Sequence, residues 1–139
     1  MASASDFAAW AQQDLVLPFG GKTYRVKPPN VGAAGKLLAC AVRGEVNLGI
    51  VKGPIPPEVQ AVLDTIQPDE HPALGDVHQE MVDDGLSPTT IDRFTYYAVF
   101  YWARGEQYAD ALARLLFMPR VTDDDLFPDE EDEATPKAS

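Results

Sequence analysis

Cysteine is almost missing from this 139-residue chain, where Cys40 stands alone. One thiol excludes an intrachain disulfide framework and any multi-cysteine metal site, and a reducing compartment is the simplest setting for it. Histidine is nearly as scarce, with His71 and His78 only. Basic residues are few: 11 Lys+Arg stand against 22 Asp+Glu, for a net charge of −11. That balance argues against nucleic acid as a partner, because gripping a phosphate backbone takes clustered Lys and Arg. No apolar run approaches the roughly 20 residues of a membrane span. The opening Met1-Ala-Ser-Ala-Ser-Asp6 has no basic stretch followed by a long apolar one. A soluble cytoplasmic protein without a secretory signal or a membrane partner is therefore expected.

What is present is organised around residues 14–30. Two short alternating runs flank Gly20-Gly21, a pair that accepts the positive φ of a tight hairpin turn. With those glycines as the loop, Phe19 faces Lys22, Leu17 faces Tyr24, Leu15 faces Val26 and Asp14 faces Lys27. Leu15, Leu17, Tyr24 and Val26 then share one face, because strand side chains alternate with period two. Pro18 falls opposite Thr23, where its missing N–H costs the ladder nothing. An isolated hairpin is marginal in water, so this face requires helices to cover it.

Helical signals supply the cover. Ser5 caps a short N-terminal helix carrying Phe7, Trp10 and Ala11. Asn30 caps a second, from about Val31 to Val42, with Leu37, Leu38, Ala41 and Val42 inward. Residues 44–57 are rich in Gly and Pro and are expected to form an ordered loop. Pro57 starts a helix with Val59, Val62, Leu63 and Ile66 inward, ended by Pro68. Another runs from about Pro72 to Asp84, with Leu74, Val77, Met81 and Val82 on one side and Gly85 as its stop. Ser87-Pro88 opens the most apolar helix, through Trp102, and Gly105 breaks it. Glu106 to Met118 forms the last, with Ala109, Leu112, Ala113, Leu116 and Phe117 inward. The expected fold is α+β and mostly helical: an N-terminal β-hairpin packed on four to five helices, one domain over 1–120. Residues 121–139 carry eight acidic residues against Lys137 and are expected to be a disordered acidic tail.

Each chemistry-bearing group has a plain structural reading beside the functional one. Seven helical positions separate His71 from His78 by about 10 Å, too far to share an ion unless the first leaves the helix. Cys40 sits in an apolar run without a histidine base, which suits a small buried hydrophobe better than a nucleophile. Gly20-Gly-Lys-Thr23 has the letters of a phosphate loop but runs into a strand. Glu80, Asp83 and Asp84 surround a helix end and suit solvation better than catalysis. No metal, cofactor or catalytic set emerges, and a non-enzymatic protein is expected. Phe94, Tyr96, Tyr97, Phe100, Tyr101 and Trp102 are more aromatic surface than one small core absorbs. The plain reading has the hairpin and the neighbouring helices cover both aromatic faces; the alternative is that one face is a partner surface.

Leu15-Val-Leu-Pro-Phe-Gly-Gly-Lys-Thr-Tyr-Arg-Val-Lys-Pro-Pro29 resembles the N-terminal signature of tail assembly chaperones of actinobacterial siphophages. The likeness continues loosely through Glu80-Met-Val-Asp-Asp-Gly85 and the Tyr97–Trp102 helix, covering 15–118 in organisation; the 44–57 loop departs from it. The resemblance implies a bacteriophage tail assembly chaperone working in the cytoplasm of the infected host bacterium. Its partner would be the tape measure protein, kept soluble during tail assembly, with the tail tube protein as a second partner and self-association left open. Such families commonly make a longer form by a ribosomal frameshift. On this reading Tyr97, Tyr101 and Trp102, or the exposed part of the Leu17/Tyr24 sheet face, hold the client. The alternatives are a minor structural tail or head-completion protein of the virion, and an acidic DNA-mimic inhibitor.

Overall fold

In a computed structural model the described residues are 13–117. The expected N-terminal helix and the acidic tail lie outside them. Strands β1 (Leu15–Phe19) and β2 (Lys22–Val26) form a two-stranded antiparallel hairpin. The pairings Leu15–Val26, Leu17–Tyr24, Pro18–Thr23 and Phe19–Lys22 are those the sequence predicts. Gly20 and Gly21 both hold positive φ, 59° and 83°, so the turn demands residues without a Cβ. Five helices follow: α1 (Val31–Asn47), α2 (Pro57–Leu63), α3 (Asp76–Asp83), α4 (Pro88–Arg104) and α5 (Glu106–Phe117).

Leu15, Leu17, Tyr24 and Val26 are all buried, and they join Leu37, Ala41, Leu74, Val77, Met81, Ile91, Ala98 and Phe100 in one core. Burying each large apolar side chain in this set stabilises the fold by about 1.5–3 kcal/mol. Helix α4 is the centre of the helical layer, contacting α1, α3 and α5, while β2 rests on α3. Its start is fixed by Ser87, whose hydroxyl accepts the Thr90 N–H, with Pro88 next. Gly105 ends it at φ 101° and returns the chain as α5. A second tie joins hairpin to helix. The Lys22 ammonium lies 2.8 Å from Glu80 and 2.6 Å from Asp84. Tyr24 donates its hydroxyl to the same Asp84 carboxylate at 2.7 Å.

Several boundaries differ from the sequence reading. Helix α1 runs through Asn47, so residues 44–47 are helical where a loop was expected. Gly44 is no breaker there: a Cβ on it would lie 3.0 Å from the Phe100 ring, so the glycine lets α4 approach. Leu38 and Val82 were expected inward but are half exposed, at 48% and 45%. Leu116 is also exposed. Helix α2 stops at Leu63, well before Pro68, leaving Ile66 outside it. Helix α3 begins at Asp76, so residues 72–75 form a turn closed by the Gly75 N–H on the His71 carbonyl. Leu74 reaches the core from that turn.

Candidate functional site

The site residues expected from sequence separate once folded. Leu17 and Tyr24 are 5% and 2% exposed, so their side chains face the core and offer little surface to a partner. Their burial follows from the helices they needed as cover. Tyr97, Tyr101 and Trp102 are partly buried and pack on the core. Two of the three have committed polar atoms: Tyr97 donates its hydroxyl to Asp110 at 2.5 Å, and the Trp102 indole N–H reaches the Ala73 carbonyl at 3.1 Å. Burial and the Asp110 carboxylate together push the Tyr97 phenol well above its ordinary pKa, so it remains a donor. Tyr101 stacks with Tyr97 and meets Trp102 edge-on. The aromatic surplus is thus absorbed largely within the fold.

The surface that remains apolar lies elsewhere. A groove of about 440 Å³ runs between the outer face of β1 and the α4–α5 pair. Val16, Phe19, Phe94, Tyr97, Ala113 and Phe117 form much of its wall, with Arg93 at its edge. Val16 and Phe19 are 42% and 44% exposed. Phe19 meets Phe94 edge-to-face, with centroids 5.5 Å apart, which holds the hairpin tip against α4. Arg93 lies over the Phe117 ring at 5.5 Å. Of the five expected residues, Leu17 and Tyr97 contribute to this wall. The period-two alternation that buried Leu17 also turned Val16 outward, and that was the signal available in the sequence.

A second concavity, of about 330 Å³, opens between α1, α4 and the 63–74 segment. Cys40, Arg43, Gly44, His71, Tyr96 and Phe100 are in its lining. Burial raises the Cys40 thiol pKa, with Arg43 opposing, which keeps the sulfur protonated and weakly nucleophilic. His71 lines it and meets His78, the case the sequence reading left open should the first histidine leave the helix. Because α3 begins only at Asp76, His71 is off the helix and its ring stacks on His78, centroids 3.5 Å apart and planes within 5°. Ring-nitrogen lone pairs lie in the ring plane, so parallel stacked rings do not converge on one ion. Among the described residues no group of three His, Cys, Asp or Glu side chains is placed to hold a metal. Nor is any helix among them long and apolar enough to cross a membrane.

The sequence reading missed the most tightly held polar group. Glu45, 5% exposed, accepts both Arg104 and the Tyr108 hydroxyl, linking α1, α4 and α5. Its role is joining helices.

No curated protein and no solved structure matches the chain. A family model does match, over residues 5–138, nearly the whole length. The chain belongs to the family of the domain of unknown function DUF7426.

Proposed function

We propose that this protein is a non-enzymatic tail assembly chaperone of a bacteriophage, acting in the host cytoplasm to keep the tape measure protein soluble. The observation that carries the reading is the groove between β1 and α4–α5. Its wall combines Val16, Phe19, Phe94 and Phe117, the kind of apolar surface on which one face of an amphipathic helix docks. A tape measure protein is a long helical client, and holding it requires shallow, reversible apolar contact. An open groove gives that better than a deep pocket, because little surface is sealed from water. The hairpin resemblance over 15–29 supports the same reading. The partner surface shifts accordingly, from the Leu17/Tyr24 face and the Tyr101–Trp102 pair to the outer β1 face.

Co-expression with the tape measure protein of the same genome tests this. The client is expected in the soluble fraction and in complex with the wild-type chain. The Val16→Glu and Phe19→Glu variants, checked for folding by circular dichroism, should each lower the soluble client several-fold. Client that stays insoluble beside a well-folded wild-type partner overturns the proposal. A protein retained in purified virions would instead be a structural tail or head-completion component.

A further inference from the structure

The groove has an occupant available within the chain. Phe117, the last described residue, already forms part of its wall and meets Tyr96 edge-on at 6.3 Å. The chain therefore leaves α5 at the groove itself. One cation, Arg93 on α4, lines the groove, and a second, Arg114, lies on α5 one turn before Phe117. Neither forms an ion pair with a carboxylate among the described residues, a state they share with Arg25, Lys27, Arg43 and Lys52. The carboxylate that lines the groove, Asp110, already accepts the Tyr97 hydroxyl.

Beyond Phe117 the sequence reads Met-Pro-Arg-Val-Thr and then Asp123-Asp-Asp-Leu-Phe127. Three carboxylates followed by two large apolar side chains match an apolar groove with a cationic margin. The five intervening residues span at most roughly 17 Å, enough to bring that motif back over the groove. A tethered segment also binds at an effective concentration on the order of millimolar, so weak contacts suffice. We infer that residues 123–127 dock intramolecularly on this groove, with Leu126 and Phe127 against Val16, Phe19 and Phe94, and Asp123–Asp125 facing Arg93 and Arg114. The inference requires the groove and does not depend on the chaperone reading. If a client also uses the groove, the segment competes with it.

Paramagnetic relaxation tests this on the full chain. A nitroxide is placed at Asp129→Cys in a Cys40→Ser background, with Cys40→Ala as the alternate should the serine unsettle α1. Amide signals of Val16, Phe19, Phe94 and Ala113 are expected to lose at least half their intensity. Adding Leu126→Ser and Phe127→Ser should restore them, and roughly 0.5 M salt should restore them in part. Unaffected groove signals, or uniform loss over the surface, overturn the inference. So does groove broadening only from a label at Ser5→Cys, which would make residues 1–12 the occupant. Broadening that appears between labelled and isotope-enriched separate chains would assign a second copy instead. A cysteine-independent check compares the wild type with Leu126→Ser/Phe127→Ser at native Cys40. Shift changes confined to the groove amides are expected, and identical spectra overturn the inference.

Discussion

Arg104 closes on the Glu45 carboxylate with two N–H groups, Nε to Oε2 at 3.0 Å and Nη2 to Oε1 at 2.8 Å. The fork ties the last turn of α4 to α1, and Tyr108 adds a third donor from α5 at 2.7 Å. Glu45 also uses its backbone carbonyl to accept the Ile50 and Val51 N–H groups, which fixes the chain leaving α1. Burial opposes the charge on Glu45, but the Arg104 and Tyr108 hydrogen bonds outweigh it and hold the carboxyl below its usual pKa.

Removing one partner should therefore cost more than an exposed ion pair would. Arg104→Ala strands a buried carboxylate and is expected to lose about 2–4 kcal/mol, somewhat below a fully buried pair because Arg104 remains partly exposed. Urea unfolding checks it. The midpoint should fall with the slope unchanged, and a change under about 0.5 kcal/mol would make the pair an ordinary surface contact.

Stability should decline on acidification in two stages. Burial and the neighbouring His78 hold His71 below its ordinary value of 6.5, with Asp69 opposing. A histidine depressed on folding takes up its proton more readily when unfolded, so stability is full above about 6.5 and falls as pH drops below it. Glu45, Glu70 and Asp84 are depressed carboxylates, whose contributions are present above their ordinary values of about 4 and are lost below. Urea midpoints measured from pH 8 to 2 should show both limbs. His71→Phe, which keeps a ring against His78, should flatten the upper one alone.

Tyr24 has two separable roles. Its ring is 2% exposed and its hydroxyl reaches Asp84. Tyr24→Phe is expected to cost about 1 kcal/mol, the net worth of one such hydrogen bond. Tyr24→Ala should cost about 3–5 kcal/mol through the cavity it leaves. Thermal or urea unfolding that ranks the two equally would place the anchor in the Asp84 contact and not in the core.

Leu37 and Leu38 are adjacent in α1 but sit at 1% and 48% exposure. Leu38→Lys should change stability by less than about 0.5 kcal/mol, and Leu37→Ala should cost about 2–5 kcal/mol. A destabilised Leu38→Lys would indicate that a partner or a second copy covers that face.

Local signals in the sequence determined the hairpin register, the Asn30 and Ser87 caps, and the stops at Gly85 and Gly105. Each depends on neighbours within a few residues: period-two alternation, a capping oxygen, or a glycine where φ must be positive. Tertiary contact decided the rest. Gly44 looked like a helix breaker until Phe100 packed against it, and α1 continued to present Glu45 to Arg104. His71 looked remote from His78 until α3 began after it. The Leu17/Tyr24 face looked available for a partner, yet its burial leaves Val16 and Phe19 outside, beside Phe94 and Phe117. Which apolar face stays open depends on how helices pack over the hairpin, and that packing joins residues some 60–100 positions apart, beyond the reach of any local pattern.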